Sequence, residues 1–264
     1  MKIGVSAITG KMGLTIAQTV QNNPICELSS GLVRLGNGFC GQDIGQFLGY
    51  EKSGFVITDQ LLQFIDSADA IIDFSSPTLS LQLAELCSKQ QKILVCGTTG
   101  FSSAEKQKLA EFAKNTAIVW SANMSLGVNL LMNLVEQTAK ILHDDFDIEV
   151  VEMHHNKKVD APSGTALSLG LAAANGRNVG LNNVANTNRC NANSARKKGE
   201  IGFATLRGGD VVGDHTVIFA GDGERLELTH KASNRYIFAS GAVRAAIWAS
   251  AKSAGFYSMQ DVLK

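Results

Sequence analysis

Two adjacent imidazoles, two adjacent lysines and two carboxylates fall within the fifteen residues Glu152-Met-His-His-Asn-Lys-Lys-Val-Asp-Ala-Pro-Ser-Gly-Thr-Ala166. A packed core has no use for so many titratable groups, because each would have to be neutralised or paired. A pocket that binds an anion and moves a proton uses all of them. The preceding run Ile148-Glu-Val-Val-Glu-Met153 is β-rich, which places the cluster where a strand ends. Pro162 holds the chain extended before Ser163, a cap for a helix through Ala166, Leu167 and Leu169. The amides of Gly164 and Thr165 then stand as donors at a helix N-terminus and suit a carboxylate or phosphate. Taken singly, a His-His or Lys-Lys pair suits a solvated surface equally well. Their convergence on one kind of ligand marks the site. Successive strand side chains point to opposite faces, so His154 and His155 divide their roles, and the residues alone leave open which one faces a substrate. His215 and His230 lie in strand-like runs and read as structural or surface residues, and His143 beside Asp144-Asp145 as a helix-end residue. No helix-face spacing supports a metal site from His154, His155 and Asp160.

The first half supplies the elements around such a cluster. Lys2-Ile-Gly-Val-Ser-Ala-Ile8 has the character of a strand, Thr9-Gly-Lys-Met-Gly13 follows, and Leu14, Ile16, Ala17 and Val20 recur at helical spacing. Strand, glycine turn and helix open a dinucleotide-binding fold, in which a pyrophosphate rests on helix-start amides, although a plain tight turn has the same outline. The glycine series is incomplete, with Ala7 at its first position. Ala68–Phe74 runs into Ser75-Ser-Pro77 and a helical leucine pattern, Lys92–Cys96 into Gly97-Thr-Thr-Gly100, and Ala117–Trp120 into Ser121-Ala-Asn-Met-Ser125. Strands alternating with helices predict a parallel sheet whose ligands bind at the carboxyl ends of the strands, where these turns fall. A nicotinamide cofactor supplies a hydride but no proton, so the protein must add a general acid, and histidine suits neutral pH. At the end of the second strand an acid would hold the adenosine ribose hydroxyls of NADH, and an arginine the 2′-phosphate of NADPH. Val33-Arg34 lacks the acid and Lys11 adds a second cation, so NADPH is favoured, with NADH the alternative.

After Ser125, Val128 to Leu142 reads as a long apolar helix, and from about Asp147 the chain changes character. The asparagine-rich stretch from Asn175 to Ser194 reads as a mobile loop. Ile201–Leu206, Asp214–Phe219 and Glu224–Thr229 alternate as strands between glycine turns. They predict an antiparallel or mixed sheet open on one face, a surface that packs against a second subunit.

Across 264 residues, 24 basic side chains balance 24 acidic ones, so there is no electrostatic footprint for nucleic acid or a membrane surface. No apolar run reaches transmembrane length, and Met1-Lys-Ile-Gly-Val-Ser reads as a strand start, not a signal peptide. Cys26, Cys40, Cys87, Cys96 and Cys190 are scattered and odd in number, as reduced thiols in a cytosol would be. These features predict a cytoplasmic protein.

The string from Glu152 to Ala166 resembles the signature Glu-x-His-His-x-x-Lys-x-Asp-Ala-Pro-Ser-Gly-Thr-Ala of the dihydrodipicolinate reductases of bacterial and plant lysine biosynthesis, and meets every fixed position. Gly10-Lys-Met-Gly13, Gly97-Thr-Thr-Gly-Phe101, Ala122-Asn-Met-Ser125, Ile201–Asp210, Gly213-Asp-His-Thr216 and Val243-Arg244 carry the similarity over nearly the whole chain. The resemblance implies an α/β architecture: a Rossmann-like parallel-sheet dinucleotide-binding domain over 1–125 and 235–264, and an α+β substrate-binding and oligomerisation domain with a mixed sheet over 126–234. It implies NAD(P)H-dependent reduction of a cyclic unsaturated imine dicarboxylate to tetrahydrodipicolinate, dehydration of the 4-hydroxy precursor preceding or accompanying it, in a homotetramer. By resemblance His154 is the acid, Lys158 holds a substrate carboxylate and offsets negative charge, and His155, Ser163, Gly164 and Thr165 bind the substrate. Thr9, Gly10, Lys11, Met12, Gly13, Arg34, Phe74, Gly97, Thr98, Thr99, Ala122, Asn123 and Met124 would meet the cofactor. Three positions depart from the family. Ala7 replaces the first glycine and would open the turn, Val33 replaces the glutamate of dual-specificity relatives, and Ser76 replaces an arginine that many place near the cofactor. Rival readings are an imine or amino-acid dehydrogenase on the same plan, a nucleotide-sensing regulator and an inactive relative. The Pro-Ser-Gly-Thr turn beside His-His and Lys158 opposes the first, and the lack of a basic face or a DNA-binding helix pair opposes the second.

Overall fold

In the computed structural model, which describes residues 1–189 and 194–264, strands and helices alternate from the first residues. The order is β1 (Lys2–Val5), α1 (Lys11–Gln21), β2 (Glu27–Leu32), α2 (Ile44–Phe47), β3 (Ile57–Thr58), α3 (Leu61–Asp66), β4 (Ala70–Asp73), α4 (Pro77–Gln90), β5 (Ile93–Cys96), α5 (Ser103–Phe112) and β6 (Ala117–Trp120). A second group follows: α6 (Leu126–Leu142), β7 (Asp147–His154), α7 (Gly164–Gly176), α8 (Leu181–Val184), β8 (Ala185–Asn186), β9 (Ile201–Arg207), β10 (Gly213–Gly221) and β11 (Glu224–Ala232). The chain ends with α9 (Tyr236–Ala249), β12 (Gly255–Tyr257) and α10 (Met259–Leu263). Contacts divide it into two units, Met1–Leu126 with Arg235–Lys264, and Gly127–Asn234.

The first unit carries a seven-stranded parallel sheet in the order β3-β2-β1-β4-β5-β6-β12. The chain reverses its direction of winding between β1 and β4, and such a reversal leaves a crevice at the carboxyl ends of those two strands. Helices cover both faces, which is why Ala70, Ile71 and Ile72 are all fully buried in an unbroken apolar run. Ile3, Val5, Ile16 and Ala242 belong to one side's core, and Phe64, Ile71, Leu83 and Leu94 to the other.

The second unit has a five-stranded mixed sheet, β11-β10-β7-β9-β8, with β7 antiparallel to β10 and parallel to β9. Here the strands alternate. Ile148 and Val150 of β7, Ile201 of β9, and Val217 and Phe219 of β10 pack under Ala166, Leu169 and Ala173 of α7. Both sheets agree with the fold class expected from the sequence. The asparagine-rich stretch carries α8 and β8, and Arg189 and Arg196 tie its two sides to Glu149 through ion pairs of 2.9 and 3.1 Å. Cys190 and residues 191–193 of that stretch lie outside the described residues. Among the described residues, no helix is long and apolar enough to cross a membrane.

The turn after β1 differs from expectation. The strand stops at Val5, and Ala7 takes a left-handed φ of 47° that keeps the turn tight, its carbonyl accepting from the Gly10 N–H at 2.8 Å. Gly13 is required by that geometry, since a Cβ there would lie 2.1 Å from the Ala7 carbonyl oxygen. An L-residue in this region carries strain that glycine does not. Ala7→Gly is therefore expected to raise stability by about 1 kcal/mol, read as a higher urea midpoint with an unchanged slope. An equal or lower midpoint would show that the strain at Ala7 does not exceed the entropic cost of glycine.

Candidate active site

The alternation of β7 builds the chemical cluster of the second unit. The residues that face α7 are Ile148, Val150, Glu152 and His154, so the apolar face becomes titratable over its last two positions. Register then adds the neighbours. On β9, Thr205 lies level with Glu152 and Arg207 level with His154, while His215 of β10 lies level with Glu152 from the other side. Glu152 is 1 % exposed and is met on all sides. His154 Nδ1 lies 2.5 Å from Oε2, the two Arg207 terminal nitrogens donate at 2.8 and 2.9 Å, the Ser163 N–H donates to Oε1 at 3.1 Å, and the Thr205 hydroxyl at 3.3 Å. Burial would push the Glu152 carboxyl up, but these bonds, led by Arg207, hold it below the usual carboxylate range. Facing an ionised carboxylate, His154 carries its proton on Nδ1, so Nε2 is the nitrogen left to exchange one. That Nε2 lies 3.0 Å from where a Cβ on Gly213 would stand, so the missing side chain keeps it clear.

His215 is part of this cluster, and of the two expectations, structural or surface, its burial excludes the surface one. Its ring stands 5.1 Å from that of His154, edge to face, and its Nε2 lies 3.1 Å from the Ser163 hydroxyl. That hydroxyl also accepts from the Ala166 N–H at 3.2 Å as the cap of α7, and the tautomer of His215 decides which partner donates between the two side chains. Burial first, and His154 second, pull the His215 imidazole down to about 4. Sequence reasoning missed Arg207, Thr205 and the depth of His215, since only strand register brings them to Glu152.

The remaining candidates of this unit fall beside the cluster. His155 follows the end of β7, half-buried, with its N–H donating to the Val211 carbonyl at 2.8 Å. Lys158 pairs with Asp160, its Nζ 2.8 Å from both carboxylate oxygens, and that bond holds the Asp160 carboxyl below its usual range. Arg207 also donates to the Asp160 carbonyl at 2.6 Å, fixing the loop that bears Lys158. Ser163 was expected to aim its donors at a ligand, but its N–H is committed to Glu152. Gly164 opens α7 with nothing within 4 Å of where its Cβ would be, leaving space at the helix start.

In the first unit a second buried carboxylate organises the carboxyl edge of the sheet. Asp73, at the end of β4, is 0 % exposed and accepts from the hydroxyls of Ser6, Ser80, Ser75 at 2.6 Å and Thr98 at 3.0 Å. Those hydroxyls come from the turns after β1, β4 and β5 and from α4, so one group joins the loops that carry the cofactor candidates. Thr98 also accepts from the Ser75 N–H at 2.9 Å, and Gly97 lies so close to the Phe74 ring that a Cβ would sit 2.3 Å from it. Thr99 is exposed beyond them. Ala122, Asn123 and Met124 follow β6, with the Asn123 side chain holding the Ser125 N–H at 2.9 Å. Thr9 and Gly10 lead into α1, where Gly10 offers no side-chain cap, so the amides of Lys11, Met12 and Gly13 face no side-chain acceptor from their own cap. A cleft of about 540 Å³ lies over these strand ends, lined by Ala7, Val33, Arg34, Phe74, Ser76 and Leu79, with Asp59 as a further charged residue. The uncapped helix start and this cleft fit a dinucleotide.

The dihydrodipicolinate reductase N-terminus family model matches residues 1–124 and the C-terminus model residues 127–263. A 4-hydroxy-tetrahydrodipicolinate reductase of Hahella chejuensis is 49% identical over 264 residues, spanning 99% of this chain and 98% of its own. One of Pseudomonas fluorescens is 47% identical over 263 residues, again spanning 99% and 98%. Among solved structures, a dipicolinate-bound dihydrodipicolinate reductase from Paenisporosarcina sp. TG-14 has a TM-score of 0.78 at 24% identity, covering 100% of this chain and 99% of that one. An amine dehydrogenase from Mycobacterium smegmatis has 0.64 at 12% identity, covering 98% and 95%. These two structures establish likeness of fold. With both halves matched and relatives near half-identical end to end, the chain belongs to the dihydrodipicolinate reductase family, oxidoreductases that use a nicotinamide dinucleotide in the reduction step of the diaminopimelate route to lysine.

Proposed function

We propose that His154 is the proton donor of this reduction and Lys158 the cation that receives the substrate, a small cyclic dicarboxylate carrying an unsaturated imine. The Glu152–His154 pair carries this reading. With Nδ1 held at 2.5 Å by a carboxylate, the ring has one orientation and one exchangeable nitrogen, as a general acid requires. Thr9–Gly13, Arg34, Phe74, Gly97–Thr99 and Ala122–Met124 would hold the dinucleotide, which when bound supplies the hydride. His154 Nε2 gives the accompanying proton, so the substrate gains two hydrogens in all. A substrate carboxylate reaching Lys158 competes with Asp160 for the ammonium, and the start of α7 at Gly164 and Thr165 offers amides to a second carboxylate. His155 lies beside this path and orients the ligand. Dipicolinate in the Paenisporosarcina relative is a planar dicarboxylate and supports a substrate of that shape.

The same reading favours NADPH over NADH, because Arg34 lines the cleft at the end of β2 and Val33 puts no acid there. It also takes the enzyme to be cytoplasmic and homotetrameric. The sheet face opposite α7, with Ala204 and Leu206 exposed, is the surface for subunit packing.

The deciding assay couples NADPH oxidation to substrate made in place from pyruvate and aspartate semialdehyde by the preceding synthase. Synthase-dependent turnover is expected, and its absence in folded protein would end the reductase reading. His154→Gln or Lys158→Ala should lower turnover about 10²- to 10⁴-fold and leave NADPH binding nearly unchanged. Near-normal turnover in Lys158→Ala would remove that residue from the pocket. Arg34→Ala should lower the NADPH-to-NADH ratio of kcat/KM about tenfold, the scale of one charge-assisted pair. An unchanged ratio would dismiss Arg34 as the 2′-phosphate partner.

The neutral His215 gives a pH prediction. Its imidazole titrates at about 4 in the folded chain against an ordinary 6.5, so between these values the unfolded chain binds a proton that the folded one refuses. The resulting stability is whole above pH 6.5 and lost as pH falls toward 4, up to about 3 kcal/mol. Urea unfolding across this range should show His215→Gln losing less stability on acidification than the parent. Parallel losses would mean that His215 is not held neutral.

A further inference from the structure

We propose that Asp59 is a determinant of cofactor choice, the carboxylate that the end of β2 lacks supplied by the neighbouring strand. The inference rests on reading the cleft of the first unit as the adenosine pocket. β2 and β3 run parallel with Leu32 level with Thr58, and the Val33 N–H continues the ladder to the Thr58 carbonyl at 3.0 Å. The next residues along the two strands are Arg34 and Asp59, and these are the charged residues lining the cleft. Their neighbours there are chiefly apolar, Leu32, Leu61 and Leu79 among them. Opposite charges on the wall of one cleft select between ligands that differ by a phosphate.

Asp59 does not spend its charge on Arg34. Its Oδ1 accepts from the Gln60 side-chain amide at 2.6 Å, and its Oδ2 from the Gly36 N–H at 3.3 Å. These bonds hold its carboxyl below the usual range, so it is an anion at neutral pH. They also fasten the turn through Gly36, at φ 74°, that follows Arg34. A carboxylate has about four acceptor positions, so the bonds from Gln60 and Gly36, with the Cys40 thiol as a further donor, still leave room for a ribose hydroxyl. NADH offers two such hydroxyls. NADPH puts a phosphate in place of one, which Asp59 repels and Arg34 attracts. The two side chains therefore oppose each other, and the preference that Arg34 confers is held down by Asp59.

The test uses the whole protein with Asp59→Asn, which keeps an acceptor oxygen for Gly36, and with Asp59→Ala. Both should raise the NADPH-to-NADH ratio of kcat/KM about tenfold, through the KM values, with kcat little changed. Calorimetric titration with adenosine 2′-monophosphate and adenosine 5′-monophosphate reads the same selection without turnover. The 2′-phosphate should bind relatively tighter to both variants. That shift in a protein without reductase turnover would uphold Asp59 while the substrate reading failed. Equal weakening of both cofactors and both nucleotides would overturn the proposal and leave Asp59 as a fastener of the turn. Unchanged ratios in both experiments would overturn it as well.

Discussion

Glu152 is almost wholly withdrawn from water, and a carboxylate at that depth must be met by donors or give up its charge. Four residues meet it, and each is thereby placed: His154 along its own strand, Arg207 and Thr205 from β9, and the Ser163 N–H from the start of α7. Removing one partner of such a buried set costs more than the pair itself contributes, because the remaining charge is left uncompensated. The set is therefore self-enforcing. Sheet register, helix start and ring orientation have to be correct together or not at all.

The first unit repeats the device in a milder form. Asp73 also closes a central strand, and it too is fully buried, but its partners are hydroxyls instead of a guanidinium. Hydroxyls of Ser6, Ser75, Ser80 and Thr98 can turn to suit the carboxylate, so it draws several loops inward without fixing any side chain by charge. The difference suits the tasks proposed for the two sites. A loop set that receives a cofactor needs common anchorage, whereas a proton donor needs one orientation.

Much of this was legible in the residues because it is local. The glycine turn, the Ser163 cap and the alternation that puts His154 opposite His155 are each written within a few positions. The buried sheet announced itself through Ala70-Ile-Ile72 and its like. What escaped depends on pairing between distant strands. Arg207 lies fifty-odd positions from Glu152 and reaches it only because β9 runs beside β7 in one register. His215 read as structural for the same reason, and Asp59 was passed over because an acid was sought on β2 and not on the strand beside it. Ala7 shows the opposite failure. A missing glycine suggested a looser turn, but the contact between Gly13 and the Ala7 carbonyl demands a tight one, and the backbone of Ala7 absorbs the cost.

Arg207 connects the partner of His154 to the loop that bears Lys158. One of its terminal nitrogens binds both Glu152 and the Asp160 carbonyl, while the Asp160 carboxylate holds Lys158. A ligand that draws Lys158 away from Asp160 therefore acts on the residue whose backbone Arg207 grips, and through Arg207 on the carboxylate that orients His154. Neutralisation follows the same line. Glu152 and Arg207 cancel as charges, so a proton arriving on His154 adds a positive charge close to a neutral His215 and not beside a second cation of the same kind. Burial holds the second ring neutral, so it adds no charge of its own beside His154 and Glu152.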